Sequence, residues 1–238
     1  MANLDSVQAL TFDVFGTVVD WRSSIIREGE TLGRAKGLNV DWARFADSWR
    51  GLYQPMLSRV RKGELPWTKL DDLHRMSLDR LLVEFGIKGL SEAEIDHLNR
   101  AWHRLDPWSD AVPGLTRLRR RFILATCSNG NVALIVNMAK RAGLPWDAIL
   151  GAEVAQAYKP APEAYLRTVE ALMLRPEEVC LVAAHNSDLA AARRCGLRTA
   201  FIHRPTEHGQ DQTTDLQPDE NWEAVANDME DLARQLGL

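Results

Sequence analysis

The sequence predicts an α/β protein: a doubly wound parallel sheet with a block of helices inserted after its first strand. Three observations carry the prediction. Four short, apolar, β-prone runs (7–12, 122–127, 179–184 and 199–203) recur along the 238 residues. Helical spacing of apolar residues follows the second and third of these runs. Residues 20 to about 106 show helical spacing and no convincing strand. Near-continuous apolar runs belong to strands buried on both faces, as in a parallel sheet, and strand–helix alternation implies a doubly wound core.

Each element has its own signal. Val7–Phe12 is the first strand, ended at once by Asp13 and turned by Gly16. In the insert, Trp42, Phe45, Trp49, Leu52 and Met56 recur at three- and four-residue steps, and Pro55 is expected to kink or end that helix. Leu70, Leu73, Leu81 and Phe85 mark another helix. Ser91 and Glu94 form a capping box ahead of Ile95, Leu98 and Trp102. The second half of the core begins near Pro107. After the strand at 122–127, Leu134, Ile135, Met138 and Ala142 share a helix face closed by Gly143. Pro162 opens the next helix, with Tyr165, Leu166, Val169 and Leu172 at helical spacing. Leu189–Cys195 is a short helix ended by Gly196. Trp222, Val225, Met229, Leu232 and Leu236 predict one final amphipathic helix. The polar stretch from about Thr206 to Pro218 reads as a loop without chemistry. The expected division is a core of residues 1–19 and 107–238 and a helical cap of residues 20–106, lying over the C-terminal lip of the sheet, where it can exclude water.

Composition narrows the class. Apolar residues make up 45% and charged residues 26%, enough to bury a sizeable core, and a net charge of −4 argues against a nucleic-acid footprint. Three widely spaced cysteines (Cys127, Cys180 and Cys195) fit neither a disulfide framework nor a zinc site, and read as reduced thiols of a cytoplasmic protein. No signal-peptide pattern and no membrane-length apolar segment is read. Eight tryptophans, several on the insert's stripes, leave room for an apolar homodimer face.

The chemistry lies at strand ends, where open α/β sheets bind ligands. Asp13 ends the first strand. Ser128-Asn129-Gly130 follows the second and makes an anion cradle at a helix N-terminus. Lys159-Pro160 forms a turn, and His185-Asn186-Ser187-Asp188 follows the third strand. Each has a plain structural alternative: Asp13 as a turn cap, Ser128 and Asn129 as helix caps, Lys159 as a solvated lysine, Asp188 as a first-turn acid, His185 as a supporting histidine. Four such clusters in one doubly wound fold point together to an active site.

The ordered set Asp13-x-Phe15-Gly16-Thr17, Ser128-Asn129, Lys159-Pro160 and Asp188 resembles the haloacid dehalogenase (HAD) superfamily over nearly the whole chain, the insert standing where that superfamily has a cap. Most members are Mg²⁺-dependent phosphatases with Asp-x-Asp and a further acid before the position of Asp188. This chain has Phe15 and Ala183-Ala184 at those places, a poor donor set for a hard cation. The pattern is similar to the L-2-haloacid dehalogenase branch, whose motif reads Asp-x-Tyr-Gly-Thr. Trp49-Arg50-x-x-Tyr53 is similar to the segment that carries that branch's substrate-binding Arg, and Tyr165 matches an active-site Tyr.

The resemblance implies a metal-independent hydrolysis, without cofactor, of a short (S)-2-haloalkanoic acid to the (R)-2-hydroxy acid and halide. Asp13 is then the nucleophile and Lys159 keeps it ionised. Thr17, Ser128 and Asn129 hold Asp13 or the substrate carboxylate, and Phe15 and Tyr165 line the substrate site. Arg50 receives the halide, and Asp188 orients Lys159 or water. His185 stands where the branch often has a water-positioning Asn, so it is expected to position or activate water, or to donate to a small halide. Fluoroacetate is therefore an expected substrate. A Mg²⁺-dependent phosphatase and a non-catalytic small-acid binder are the alternatives.

Overall fold

The computed structural model describes residues 4–238; residues 1–3, counted with the core above, lie outside the described residues. In chain order the elements are β1 (Ala9–Phe12), β2 (Val19–Asp20), α1 (Trp21–Lys36), α2 (Trp42–Arg61), α3 (Leu70–Glu84), α4 (Glu92–Asn99) and β3 (Asp106–Pro107). There follow α5 (Ala111–Leu118), β4 (Ile123–Thr126), α6 (Val132–Ala142), α7 (Ala152–Ala155), α8 (Pro162–Ala171) and β5 (Val179–Ala183). The chain ends with α9 (Asn186–Arg194), β6 (Arg198–Ile202), β7 (Ala224–Ala226) and α10 (Met229–Gln235).

Five strands form a wholly parallel sheet in the order β4-β1-β5-β6-β7, the doubly wound arrangement expected. The register decides where the chemistry can sit. Phe12 pairs with Thr126 on one side and Val182 on the other. The residues just past β1, β4 and β5 therefore reach the same lip of the sheet side by side.

The four helices between β2 and β3 pack in sequence, α1 on α2, α2 on α3 and α3 on α4. Asp20 and Asp41 cap α1 and α2 through their side chains, and the Ser91–Glu94 capping box is formed at α4. Gly29 and Gly33 sit one turn apart on α1, where a Cβ would strike the Trp42 indole, so two bare positions let α2 approach closely. The two chain passages flanking these helices pair with each other: Val19 lies opposite Pro107, and Asp20 opposite Asp106, in an antiparallel ribbon.

The structure departs from the sequence expectations at two places. Helix α2 runs unbroken through Pro55 to Arg61. Tyr53 and Leu57 on either side are buried, and that packing outweighs the one backbone hydrogen bond a proline removes. Residues 222–236 are not one helix: Ala224–Ala226 adds an edge strand beside β6, and α10 begins only after Asp228, whose side chain accepts from the Asp231 N–H. Trp222 belongs to the strand side, its indole donating to Asn186 at 2.9 Å. Trp42, Trp49 and Trp102, on the stripes of the insert, are buried inside the molecule. Among the described residues no helix is long and apolar enough to cross a membrane, and all three cysteines are free thiols.

Arg204, after β6, ties the C-terminal part to the site turn. Its Nε donates to the Thr17 carbonyl at 2.9 Å and its two terminal nitrogens clamp Asp110 at 2.8 and 2.7 Å. Both charges are largely buried, so Arg204→Ala strands a carboxylate. It is expected to cost roughly 3–5 kcal/mol of unfolding free energy, measured by urea denaturation.

Candidate active site

Asp13 sits at the tip of β1, buried, with both oxygens occupied. Lys159 Nζ donates to Oδ1 at 2.9 Å and Thr17 Oγ1 donates to Oδ2 at 2.9 Å. His185 Nδ1 lies 3.2 Å from the same Oδ2. Thr17 is itself placed by the Ala184 N–H, which donates to its hydroxyl at 2.9 Å. Lys159 bridges from Asp13 to Asp188, and Tyr165 donates to the other oxygen of Asp188 at 2.6 Å. Helical spacing puts Tyr165 on the buried face of α8, with its hydroxyl aimed at the N-terminal turn of α9.

The electrostatics follow from these contacts. Burial favours a neutral Asp13, but the Lys159 ammonium and the His185 ring outweigh it and hold this carboxyl well below the usual carboxylate range. Burial likewise disfavours charge on Lys159, yet Asp13 and Asp188 keep its pKa well above the ordinary lysine value. His185 is raised well above 6.5, because Glu207 and Asp13 outweigh its desolvation.

Glu207 was not anticipated. It comes from the stretch after β6 that reads in sequence as a loop without chemistry, and its Oε2 lies 2.8 Å from His185 Nε2. Burial pushes this carboxyl up, but His185 prevails and brings it down to about 2. Asp215 of the same stretch accepts from the Asn186 N–H at 2.8 Å and fixes the start of α9. No local motif marks either residue; each is an isolated acid in a polar segment. Both ring nitrogens of His185 thus face carboxylates, Asp13 on one side and Glu207 on the other.

A cavity of about 560 Å³ opens in front of Asp13. Phe15, Arg50, Asn129, Lys159, Tyr165, His185 and Asp188 all line it. Phe15 meets Trp102 edge-on at 6.0 Å. Arg50 reaches in from α2, its guanidinium 4.4 Å from the Tyr53 ring centre and 5.4 Å from that of Trp21. Its Nη1 is buried without a hydrogen-bond partner. Asn129 is held at both ends, donating to the Tyr53 hydroxyl at 3.0 Å and accepting from the Lys159 N–H at 2.8 Å. Ser128 and Thr17 do not line the cavity; Ser128 Oγ instead accepts from the Gly130 N–H at 3.0 Å and shapes the turn.

These donors do not suit a hard divalent cation. Phe15 and Ala184 bring no side-chain oxygen to the lip beside Asp13 and Asp188, which leaves too few carboxylates for the ion. Among the described residues no three His, Cys, Asp or Glu side chains are grouped to hold a metal.

A parallel sheet in this strand order, with Asp13 at its lip and lysine and aspartate beside it, defines a class of hydrolase. The sequence pattern of the haloacid dehalogenase-like hydrolases matches residues 7–196, and the chain belongs to that family. It is 28% identical over 219 residues to (S)-2-haloacid dehalogenase 4A of Burkholderia cepacia, covering 84% of this chain and 85% of the relative. Among solved structures it is similar to the defluorinating L-2-haloacid dehalogenase Rha0230, with a TM-score of 0.95, 49% identity and coverage of 98% and 96% of the two chains. The L-2-haloacid dehalogenase PA0810 is alike at a TM-score of 0.94 and 48% identity, with coverage of 97% and 99%.

The charge pattern sets a pH response. A His whose folded pKa is raised stabilises the fold fully below its unfolded value of about 6.5, and that contribution is lost as pH rises through the folded value. Asp13 is opposite: its contribution is present above about 3.9 and lost only as pH falls through its lowered folded value. Urea midpoints of the wild type and His185→Gln are therefore expected to differ most below about pH 6.5 and to converge well above it. A gap that widens with rising pH contradicts the assignment.

Proposed function

We propose that this chain hydrolyses the carbon–halogen bond of short (S)-2-haloalkanoic acids to give (R)-2-hydroxy acids and halide, through an ester on Asp13. The observation that carries the reading is a buried, ionised Asp13 facing, across one cavity, an arginine with an unpartnered nitrogen. In this reading residues 20–106 form a cap that carries Arg50 to the site and residues 1–19 and 107–238 form the core.

Asp13 Oδ1 is held by Lys159 alone, whereas Oδ2 is held by Thr17 and approached by His185. Oδ1 is therefore the attacking atom. It bonds to C2 of the substrate as the carbon–halogen bond breaks, and the halide departs with the bonding pair toward Arg50, whose spare N–H receives the developing charge. Attack opposite the leaving group inverts C2. Ser128 shapes and Asn129 lines the turn on which the substrate carboxylate docks, and Phe15 supplies an apolar wall.

A water then adds to Cγ of the Asp13 ester. Asp188, set by Lys159 and Tyr165, accepts its proton and returns it to the departing alkoxide as the Cγ–O bond breaks. The second proton of the water is released to solvent from the new Asp13 carboxyl, the hydroxy acid leaves and the carboxylate is restored. Cleavage at Cγ does not touch C2, so the first inversion survives. During this step Oδ2 is the carbonyl oxygen, and Thr17 and His185 are the donors facing the charge it gathers.

Fluoride is a poor leaving group and a strong hydrogen-bond acceptor. The desolvated Nη1 of Arg50 suits it, which supports fluoroacetate as a substrate. Phe15 and Ala184, which bring no side-chain oxygen, weigh against the phosphatase alternative.

Halide release from (S)-2-chloropropionate, chloroacetate and fluoroacetate, with and without chelator, tests the reading. We expect (R)-2-hydroxy acid and halide in equal amounts, chelator without effect, and a loss of roughly 10⁴-fold or more in Asp13→Ala. Absence of halide release, with Mg²⁺-stimulated hydrolysis of an aryl phosphate instead, sinks it. A silent fluoride electrode beside chloroacetate turnover removes the fluorinated substrate alone.

A further inference from the structure

Glu207 is a carboxylate with almost no access to water, delivered by a segment remote in sequence from every other group of the site. It is 1% exposed. Such a charge is costly unless paired, and it is paired on both oxygens: the Trp21 indole N–H donates to Oε1 at 3.0 Å, and His185 Nε2 lies 2.8 Å from Oε2. The backbone makes room for it. Gly16, in the turn after Asp13, has φ +87°, and a Cβ there would run into the Glu207 carboxylate. The turn that presents Asp13 is thus also the wall of the Glu207 niche.

We propose that Glu207 is a positioning residue that holds His185 as an imidazolium with Nδ1–H aimed at Asp13 Oδ2, and that it thereby serves the ester-hydrolysis half of the reaction rather than the displacement half. This rests on the dehalogenase reading above. In the free protein His185 lies between two carboxylates, Asp13 at 3.2 Å and Glu207 at 2.8 Å. Arg50 and His208 line a pocket with His185, and His208 Nε2 lies 3.6 Å from Glu207 Oε1. Forming the ester turns Asp13 into a neutral acyl group, so one of the two anions vanishes while Arg50 remains. Glu207 is then the carboxylate that keeps the proton on the ring. Without it, the ring loses its orientation and its charge at the moment when water adds to Cγ and Oδ2 becomes negative. Displacement begins with Asp13 still ionised, an anion that itself keeps the proton on the ring, and its attacking oxygen Oδ1 is held by Lys159. No proton is consumed at His185: it donates a hydrogen bond to Oδ2 and recovers its first state when the Cγ–O bond breaks.

The test separates the two halves. Glu207→Gln mixed with excess chloroacetate is expected to release about one halide per site at near the wild-type rate, then to turn over roughly tenfold or more slowly. Intact-protein mass spectrometry during turnover should show the protein heavier by one carboxymethyl group, located on Asp13 in peptide digests. In a His185→Asn background, the further change Glu207→Gln should leave the ester lifetime unchanged, because its effect runs through the ring. Wild-type turnover without ester accumulation in Glu207→Gln, or additive effects in the double variant, overturns the proposal while leaving the dehalogenase reading intact; absence of halide release from the wild type removes both. Imidazole ¹H–¹⁵N NMR of the wild type at neutral pH is independent of how the variants fold. Protons on both His185 nitrogens are expected, and a ring with one bare nitrogen contradicts the proposal.

Discussion

Keeping Asp13 charged out of water is the constraint on which the rest of the site is built. Burial by itself pushes this carboxyl toward its neutral form. Lys159 and His185 supply the compensation, and each must in turn be balanced, by Asp188 and by Glu207. With Arg50 across the cavity, three acids face three cations. Removing one partner from such a set leaves a bare buried charge. The arrangement therefore stands only when the tip of β1, the turn before α8, the start of α9 and the segment after β6 are all in place. The site is in this sense a product of the whole fold.

The sheet was legible in the sequence because its strands are apolar on both faces, and its boundaries moved by no more than a few residues. The capped helices were legible for similar local reasons. β7 was not: Ala224, Val225 and Ala226 form a short edge strand, and the apolar residues around it share three- and four-residue spacing with α10. Pro55 does not end α2, because burial of its neighbours on either side overrides that local rule. Most residues now around the cavity carry a signal in a motif at a strand end or on α2. Glu207 carries none. Its partners, Trp21 and His185, lie 186 and 22 residues away, and a polar tail gives no warning that one of its acids will be buried.

The aromatic residues of α2 have a second use besides packing. Phe45, Trp49 and Trp102 meet edge to face in succession, with ring centres 5.6 and 5.5 Å apart. His74 stacks on Trp102 at 4.4 Å, and burial pushes it down to about 3, so it adds no charge at neutral pH. Arg50 rests on the rigid surface these rings extend through Trp21 and Tyr53. Its guanidinium is held by ring faces rather than by carboxylates, which leaves an N–H open where an acidic partner would have filled it.

The ribbon of β2 and β3 brings the two crossings between sheet and helices to one edge. On the opposite side the contacts are different in kind. Arg61 donates to the Lys159 carbonyl at 3.0 Å, Tyr158 to the Thr68 carbonyl at 2.6 Å, and Asn131 to Asp71 at 2.8 Å. Covalent continuity holds one margin, and side-chain hydrogen bonds, each contributing about 1 kcal/mol, hold the other together with the packing of Trp67 on Tyr158, ring centres 4.8 Å apart. The joint therefore resembles a book bound along its spine. Its clasp is made of side chains, so substitution at Arg61, Tyr158 or Asn131 would loosen that margin without cutting the binding.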